Sequence, residues 1–236
     1  MVGLAERCGL HDLVADTLTL SGPGSACAQV KVSALVAGMV AGADSIDDMD
    51  LLRHGGMGRL FDEVRAPSTL GTFLRTFAFG HVRQLDAVAA RLLINLTAHT
   101  PLLTNAEQVC FVDIDDTVKQ TYGYAKQGAG YGYSGVKGLN ALIAAVSTPT
   151  SAPVIAATRL RKGKVNSARG AARLVADALR VTANIRSQAD SKSAGKGPGS
   201  GLVLVRMDSA LCRYRHNADL GYSSDRTSAG QRARHG

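Results

Sequence analysis

The sequence predicts an α/β protein with a helical first part and a strand-rich second part. Two observations separate the parts: apolar residues recur at helical spacing before Pro101 and gather into short runs after it. A third marks the end of the ordered region, because residues 211–236 show no apolar periodicity and carry five arginines. The chain therefore divides into a helical region at 1–100, a sheet-forming region at 101–210, and a tail at 211–236 expected to be disordered or out of frame.

In the helical region, Ser68 reads as an N-cap, followed by apolar positions at Leu70, Phe73, Leu74 and Phe77. The pattern breaks at Gly80 and resumes at Val82, Leu85, Val88, Ala89 and Leu92, which predicts two helices joined at a bend. Such a pair serves bundle packing or, alternatively, reads DNA as a helix-turn-helix. The acids Asp44, Asp47, Asp48 and Asp50 resemble a ligand cluster, but carboxylates at the start of a helix also favour its dipole, and we take them in that role.

After Pro101 come a buried strand at Val109–Ile114, a Gly/Tyr-rich stretch, a second strand at Leu139–Val146 and a third at Val154–Thr158 that ends in basic residues. Ser167–Arg186 follows as an imperfectly amphipathic helix, then a Gly/Ser/Lys linker at Ser191–Gly201, then a compact apolar strand at Leu202–Val205. Three strands, a helix and a strand make the order of the first half of an RNase H-like fold. The second part is thus expected to be an incomplete RNase H-like catalytic domain, with its fourth strand beside its first.

Charge is distributed unevenly. The net charge is +8, yet residues 1–100 hold 8 Lys and Arg against 10 Asp and Glu, while residues 101–236 hold 19 against 9. A basic surplus confined to one part suits a polyphosphate partner, since each cation near a phosphate releases condensed counterions; a merely solvated basic surface is the alternative. The longest apolar segment, Val32–Val40, is far short of the roughly 20 residues of a membrane span, and no basic leader precedes a long apolar run. A cytoplasmic protein without a membrane partner is expected. Cys8, Cys27, Cys110 and Cys212 lack the spacing of a zinc site or disulfide framework and are expected to be buried free thiols.

The run Phe111-Val-Asp-Ile-Asp-Asp-Thr117 places three acids at the end of an apolar strand. Side chains alternate along a strand, so Asp113 and Asp115 share one face and Asp116 takes the other. The last strand runs into Arg206-Met-Asp208; if it neighbours the first, Asp208 falls near Asp115, and two carboxylates on adjacent strands offer hard oxygen ligands to a divalent cation. The same residues also fit the Asp-x-Asp-x-Thr nucleophile pattern of haloacid-dehalogenase-like phosphatases, at Asp113, Asp115 and Thr117. That pattern is followed by a helix, whereas Tyr122–Tyr133 is too rich in glycine to form one.

Several segments carry a resemblance. Val112-Asp-Ile-Asp-Asp-Thr117, Tyr122-Gly-Tyr-Ala-Lys-Gln-Gly-Ala-Gly-Tyr-Gly-Tyr133, Lys137-Gly-Leu-Asn-Ala-Leu142, the Arg159-Leu-Arg-Lys-Gly163 turn, Asn166-Ser-Ala-Arg-Gly170 and Leu204-Val-Arg-Met-Asp-Ser209 stand in the same order as in a known family. Ala43-Asp-Ser-Ile-Asp-Asp-Met-Asp50 and Pro67-Ser-Thr-Leu-Gly-Thr-Phe73 extend the match upstream, over about residues 1–210. Together they resemble transposases of the insertion-sequence family known as thirteen-eighty. The resemblance implies a DDE catalytic domain that cuts and joins DNA at element ends with Mg²⁺ or Mn²⁺. Its first carboxylate falls within Asp113–Asp116, with Asp115 favoured for its position two residues before Thr117 and Asp113 the alternate; the second falls on Asp208. Lys126, Tyr131, Lys137, Arg159, Arg161 and Lys162 become candidate contacts to the DNA backbone.

The departure comes after Ala210, where the family continues towards a catalytic Glu and this chain has no Glu beyond Glu107. A frameshifted, truncated transposase, inactive by itself, is the expectation. Its partners would be double-stranded DNA at element ends and either further copies of itself or an intact transposase. A non-catalytic DNA-binding fragment is the second reading and the phosphatase the third.

Overall fold

The computed structural model describes residues 2–61, 64–122, 126–132, 134–192 and 201–208. Five helices form the first part among these residues: α1 (Val2–Arg7), α2 (Leu10–Thr17), α3 (Ala28–Val40), α4 (Pro67–Arg75) and α5 (Phe79–His99), with two 3₁₀ segments at Asp47–Arg53 and Gly55–Arg59. None is long and apolar enough to cross a membrane. Leu10, Val14, Val32, Phe73 and Val88 close one small core, and Ala34, Ala37, Met49, Leu52 and Leu70 a second.

The two-helix expectation holds with shifted boundaries. Ala66, not Ser68, precedes α4, because Pro67 occupies its first position, where a missing N–H costs nothing. The bend lies at Thr76–Ala78 rather than Gly80, which sits inside α5. Thr76 donates its hydroxyl to the Phe73 carbonyl at 2.6 Å, and the Ala78 N–H donates to His81 Nδ1 at 3.0 Å, so both helix ends at the bend are satisfied locally. Asp47, Asp48 and Asp50 fall in the first turn of the 3₁₀ segment, as the helix-start reading expects, whereas Asp44 precedes it; Asp48 accepts the N–H groups of Asp44 and Ser45, and Asp50 pairs with Arg53 at 2.7 Å. Cys8 and Cys110 are buried free thiols as expected, but Cys27 is exposed, and Cys212 lies outside the described residues.

The second part is a mixed sheet: β1 (Val109–Gln120), β2 (Gly130–Tyr131), β3 (Lys137–Ser147), β4 (Val154–Lys162) and β5 (Leu202–Met207), with α6 (Ala171–Lys192) between the last two strands. β3 pairs antiparallel with β1 on one edge and with β4 on the other, where β2 extends the pairing at Lys137 and Gly138. β5 lies parallel to β1 on its far edge, so the last strand neighbours the first as the sequence order predicts. β1 and β4 run further than their apolar cores suggested. Arg159–Lys162, expected as a turn, is strand, and α6 begins at Ala171 rather than Ser167, after Gly170 in the left-handed region at φ 85°. The segment expected as a linker is helical through Lys192, and residues 193–200 and 209–236, including the expected tail, lie outside the described residues.

One sheet face carries the core. Cys110, Val112 and Ile114 of β1 and Leu142, Ala144 and Val146 of β3 pack with Leu174, Ala178 and Val181 of α6. Their alternates, including Phe111, Asp113, Ile143 and Ala145, are only half-buried and lie outside that cluster. α5 touches both β4 and α6, and this junction holds Arg83, Asp86, Thr158, Arg159 and Asp177 in one polar network. Burial holds the Asp86 carboxyl above the usual range, against the opposing pull of Thr158 and Arg83.

The glycine-rich stretch is a packing device. A Cβ at Gly163 would overlap the carbonyl oxygens of Gly138 and Gly130, and one at Gly132 would lie 2.6 Å from the Gly163 carbonyl. Backbones approach here as closely as only glycine permits. Gly163→Ala is accordingly expected to cost about 1–3 kcal/mol by overpacking, read as a lower urea midpoint with an unchanged slope.

Candidate functional site

The three acids of β1 meet three different environments. Asp113 is held by Arg206 of β5, whose Nε and Nη2 donate to its two oxygens at 2.5 and 2.7 Å while the guanidinium lies 4.6 Å over the Phe111 ring. That bidentate bond keeps Arg206 firmly protonated, raising it above its ordinary range. Asp113, the alternate first carboxylate, is thereby charge-compensated.

Asp116 turns to the α6 face, as the alternation requires. Its Oδ2 accepts from Asn140 Nδ2 at 2.9 Å, Arg161 Nη2 at 3.1 Å and Ser167 Oγ at 3.1 Å. Arg161 donates from Nε to Asn140 Oδ1 at 2.8 Å, and from Nη1 to the carbonyls of Asn166 (3.3 Å), Ser167 (2.9 Å) and Arg169 (2.8 Å). Burial lowers the Arg161 pKa, and the adjacent Asp116 charge opposes the shift. Its position in the interior, 9% exposed, gives it the role of an anchor for the Asn166–Gly170 turn in place of the DNA contact expected from the sequence.

Asp115 is exposed on the opposite face, where its Oδ1 accepts the Asp116 N–H at 2.7 Å. Asp208 is exposed at the end of β5. The parallel pairing ends with Asp113 opposite Arg206 and Ile114 opposite Met207, so Asp115 and Asp208 each follow directly on the last paired positions of two adjacent strands. Two carboxylates so placed fit a hard divalent cation through oxygen ligands alone. Among the described residues no group of three or more His, Cys, Asp or Glu gathers at one point.

The cationic candidates separate as well. Arg159 pairs with Asp177 at 2.8 Å, and burial lowers its pKa. Lys137 is half-buried in the β2–β3 pairing, whereas Lys126, Tyr131 and Lys162 are exposed. Lys162 belongs to a cavity of about 400 Å³ at the outer edge of β4, bounded also by Phe79, Lys164 and Arg169. Sequence reasoning missed these last three. The alternating Lys162-Gly-Lys164 was a usable signal for the lysines, but nothing in the local pattern marks Phe79, which the α5–β4 packing brings there.

After Thr117 the chain continues as strand to Gln120 and returns as antiparallel β3, so among the described residues no helix follows the Asp113-x-Asp115-x-Thr117 pattern as the phosphatase reading needs. Comparison of the chain with protein-family models, with curated proteins and with solved structures finds no match to any of them.

Proposed function

We propose that residues 101–208 are the first part of an RNase H-like catalytic domain and that the chain acts in DNA transposition, on double-stranded DNA at the ends of a mobile element. One observation supports the reading: β5 lies parallel beside β1, and their pairing ends at Ile114 and Met207, one residue before Asp115 and Asp208. The antiparallel β1–β3–β4 meander and the α6 crossover supply the topology that the reading needs. The resemblance to thirteen-eighty transposases supplies the reaction class.

Asp115 and Asp208 would hold Mg²⁺ or Mn²⁺, which supplies activation of a water or 3′-hydroxyl and stabilisation of the leaving oxygen. Around them the chain contributes position: the Asp113–Arg206 pair ties β1 to β5 two residues before the acids, and the Asp116–Arg161 anchor fixes the β1 backbone from below. With two carboxylates at hand, cation-assisted DNA binding is the activity expected of this chain by itself. A non-catalytic DNA-binding role is the second reading, favoured by a basic cavity that stands apart from the acids.

The test measures binding of duplex DNA from the flanks of the chain's own reading frame by fluorescence anisotropy, in Mn²⁺ and in EDTA. Mn²⁺ is expected to tighten binding about tenfold, or about 1.4 kcal/mol. Asp115→Asn and Asp208→Asn should each abolish the gain, while Asp113→Asn leaves most of it. A gain that survives both would falsify the cation site. Strand cleavage in Mn²⁺ that Asp208→Ala removes would make the chain an enzyme in its own right.

A further inference from the structure

We propose that the basic cavity at the outer edge of β4 binds one unpaired nucleotide of a DNA strand, with its phosphate on Lys162, Lys164 and Arg169 and its base against Phe79. Only the choice of DNA rests on the function proposed above; the cavity's chemistry stands on its own residues. At about 400 Å³ the cavity falls within the range of small-ligand sites, and a concavity of that size excludes a duplex.

Its charge is set by which cations already have acids. Arg161 and Arg159 also line the cavity, but they are matched by Asp116 and Asp177. No ion pair joins Lys162, Lys164 or Arg169 to an acid among the described residues, so three positive charges face the space uncompensated. Such charges suit a phosphate.

These groups are positioned before any ligand arrives. The Arg169 backbone is held by the buried Arg161 guanidinium, and Ala168 N–H donates to Asn166 Oδ1 at 2.9 Å within the same turn. The Lys164 stem runs so close to Gly130 that a Cβ there would stand 3.1 Å from its Cγ, and the Lys162 stem passes Gly128 in the same way at 3.7 Å. Phe79 opens α5 with its side chain 66% exposed and belongs to none of the hydrophobic clusters. An exposed ring beside uncompensated cations is the combination that stacks a base while its phosphate is neutralised.

The cavity also stands in a useful relation to the acids. Leu139 pairs with Lys119 on one side and Lys162 on the other, so Lys162 is level with a point four residues beyond Asp115 and two strands across. Strand geometry makes that separation about 16 Å. It is the length of about five base-pair steps along a duplex axis, so DNA held at the acids could extend to the cavity.

The test uses the full 236-residue chain at fixed salt, with a blunt duplex and the same duplex carrying a short single-stranded extension. Wild type is expected to prefer the extended DNA about tenfold. Phe79→Ala should remove the preference while blunt-duplex affinity stays the same, and Phe79→Trp should keep it. Because Phe79 is exposed, an unchanged melting temperature will show that the variants are folded. The paired change Lys162→Ala and Lys164→Ala should weaken the extended DNA more than the blunt. A preference that persists in Phe79→Ala overturns the assignment, as does equal binding of both DNAs by wild type, which would leave the proposed function standing. Binding of neither DNA overturns both, and a preference for an RNA extension over a DNA one overturns the ligand named here.

Discussion

Replacing Arg161 with methionine is expected to destabilise the chain by about 3–5 kcal/mol, the cost of breaking a buried charge pair from one side. The guanidinium satisfies the Asp116 carboxylate, the Asn140 amide oxygen and three carbonyls of the Asn166–Gly170 turn. Methionine fills similar volume but donates nothing, so the Asp116 charge stays in a half-buried site with only Asn140 and Ser167 as donors. For a chain of this size the loss corresponds to a fall in melting temperature of about 10 °C. Arg180→Ala, which removes an exposed partner of Asp177, should by contrast cost under about 1 kcal/mol. A double change of Arg161→Met with Asp116→Leu should recover part of the deficit, because it removes the stranded charge along with its partner. If Arg161→Met melts within about 2 °C of wild type, the network is not what holds the turn.

That network also shows where the sequence stopped being legible. Alternation along β1 was enough to separate Asp116 from Asp113 and Asp115, because the side-chain period of a strand depends only on the strand itself. The neighbouring of β5 and β1 followed from element order. What Asp116 meets did not, since Asn140 and Arg161 come from strands 24 and 45 residues away. Arg159-Leu-Arg-Lys162 reads as a turn in isolation, yet it is strand, because Asp177 and Asp116 neutralise its arginines on the covered face. The same tertiary pairing ties Arg159 and Arg161, which the resemblance had offered as DNA contacts, to acids of the chain itself. Asp113 offered no local sign that Arg206 would occupy it, and the pair emerges only from the parallel register. The glycines of the 128–132 stretch correctly excluded a helix, but their reason is close backbone contact with Gly163 rather than looseness.

Affinity for duplex DNA carrying a single-stranded extension is expected to fall about 500-fold between 50 and 200 mM salt. The surplus of cations lies after Pro101, but intramolecular pairs withdraw several of them: Arg159, Arg161, Arg180 and Arg206 each face an acid. Lys119, Lys126, Lys162, Lys164 and Arg169 are exposed, and they cluster where β1 and β4 end and β2 begins. If these neutralise about five phosphates, counterion release gives a slope of log affinity against log salt of about −4.5. A fourfold rise in salt then weakens binding by the stated factor. Changing Lys162 and Lys164 together to alanine should make the slope shallower by about two, whereas Arg161→Lys should leave it unaltered because that charge is already matched by Asp116. Changing Arg59 and Arg75 of the helical region, both exposed, is a matched control: it removes the same charge from the other part of the molecule. A loss of slope in that control equal to the loss in the lysine variant would move the DNA-reading surface to the helices, and the concentration of charge after Pro101 would then be solvated surface rather than a binding site.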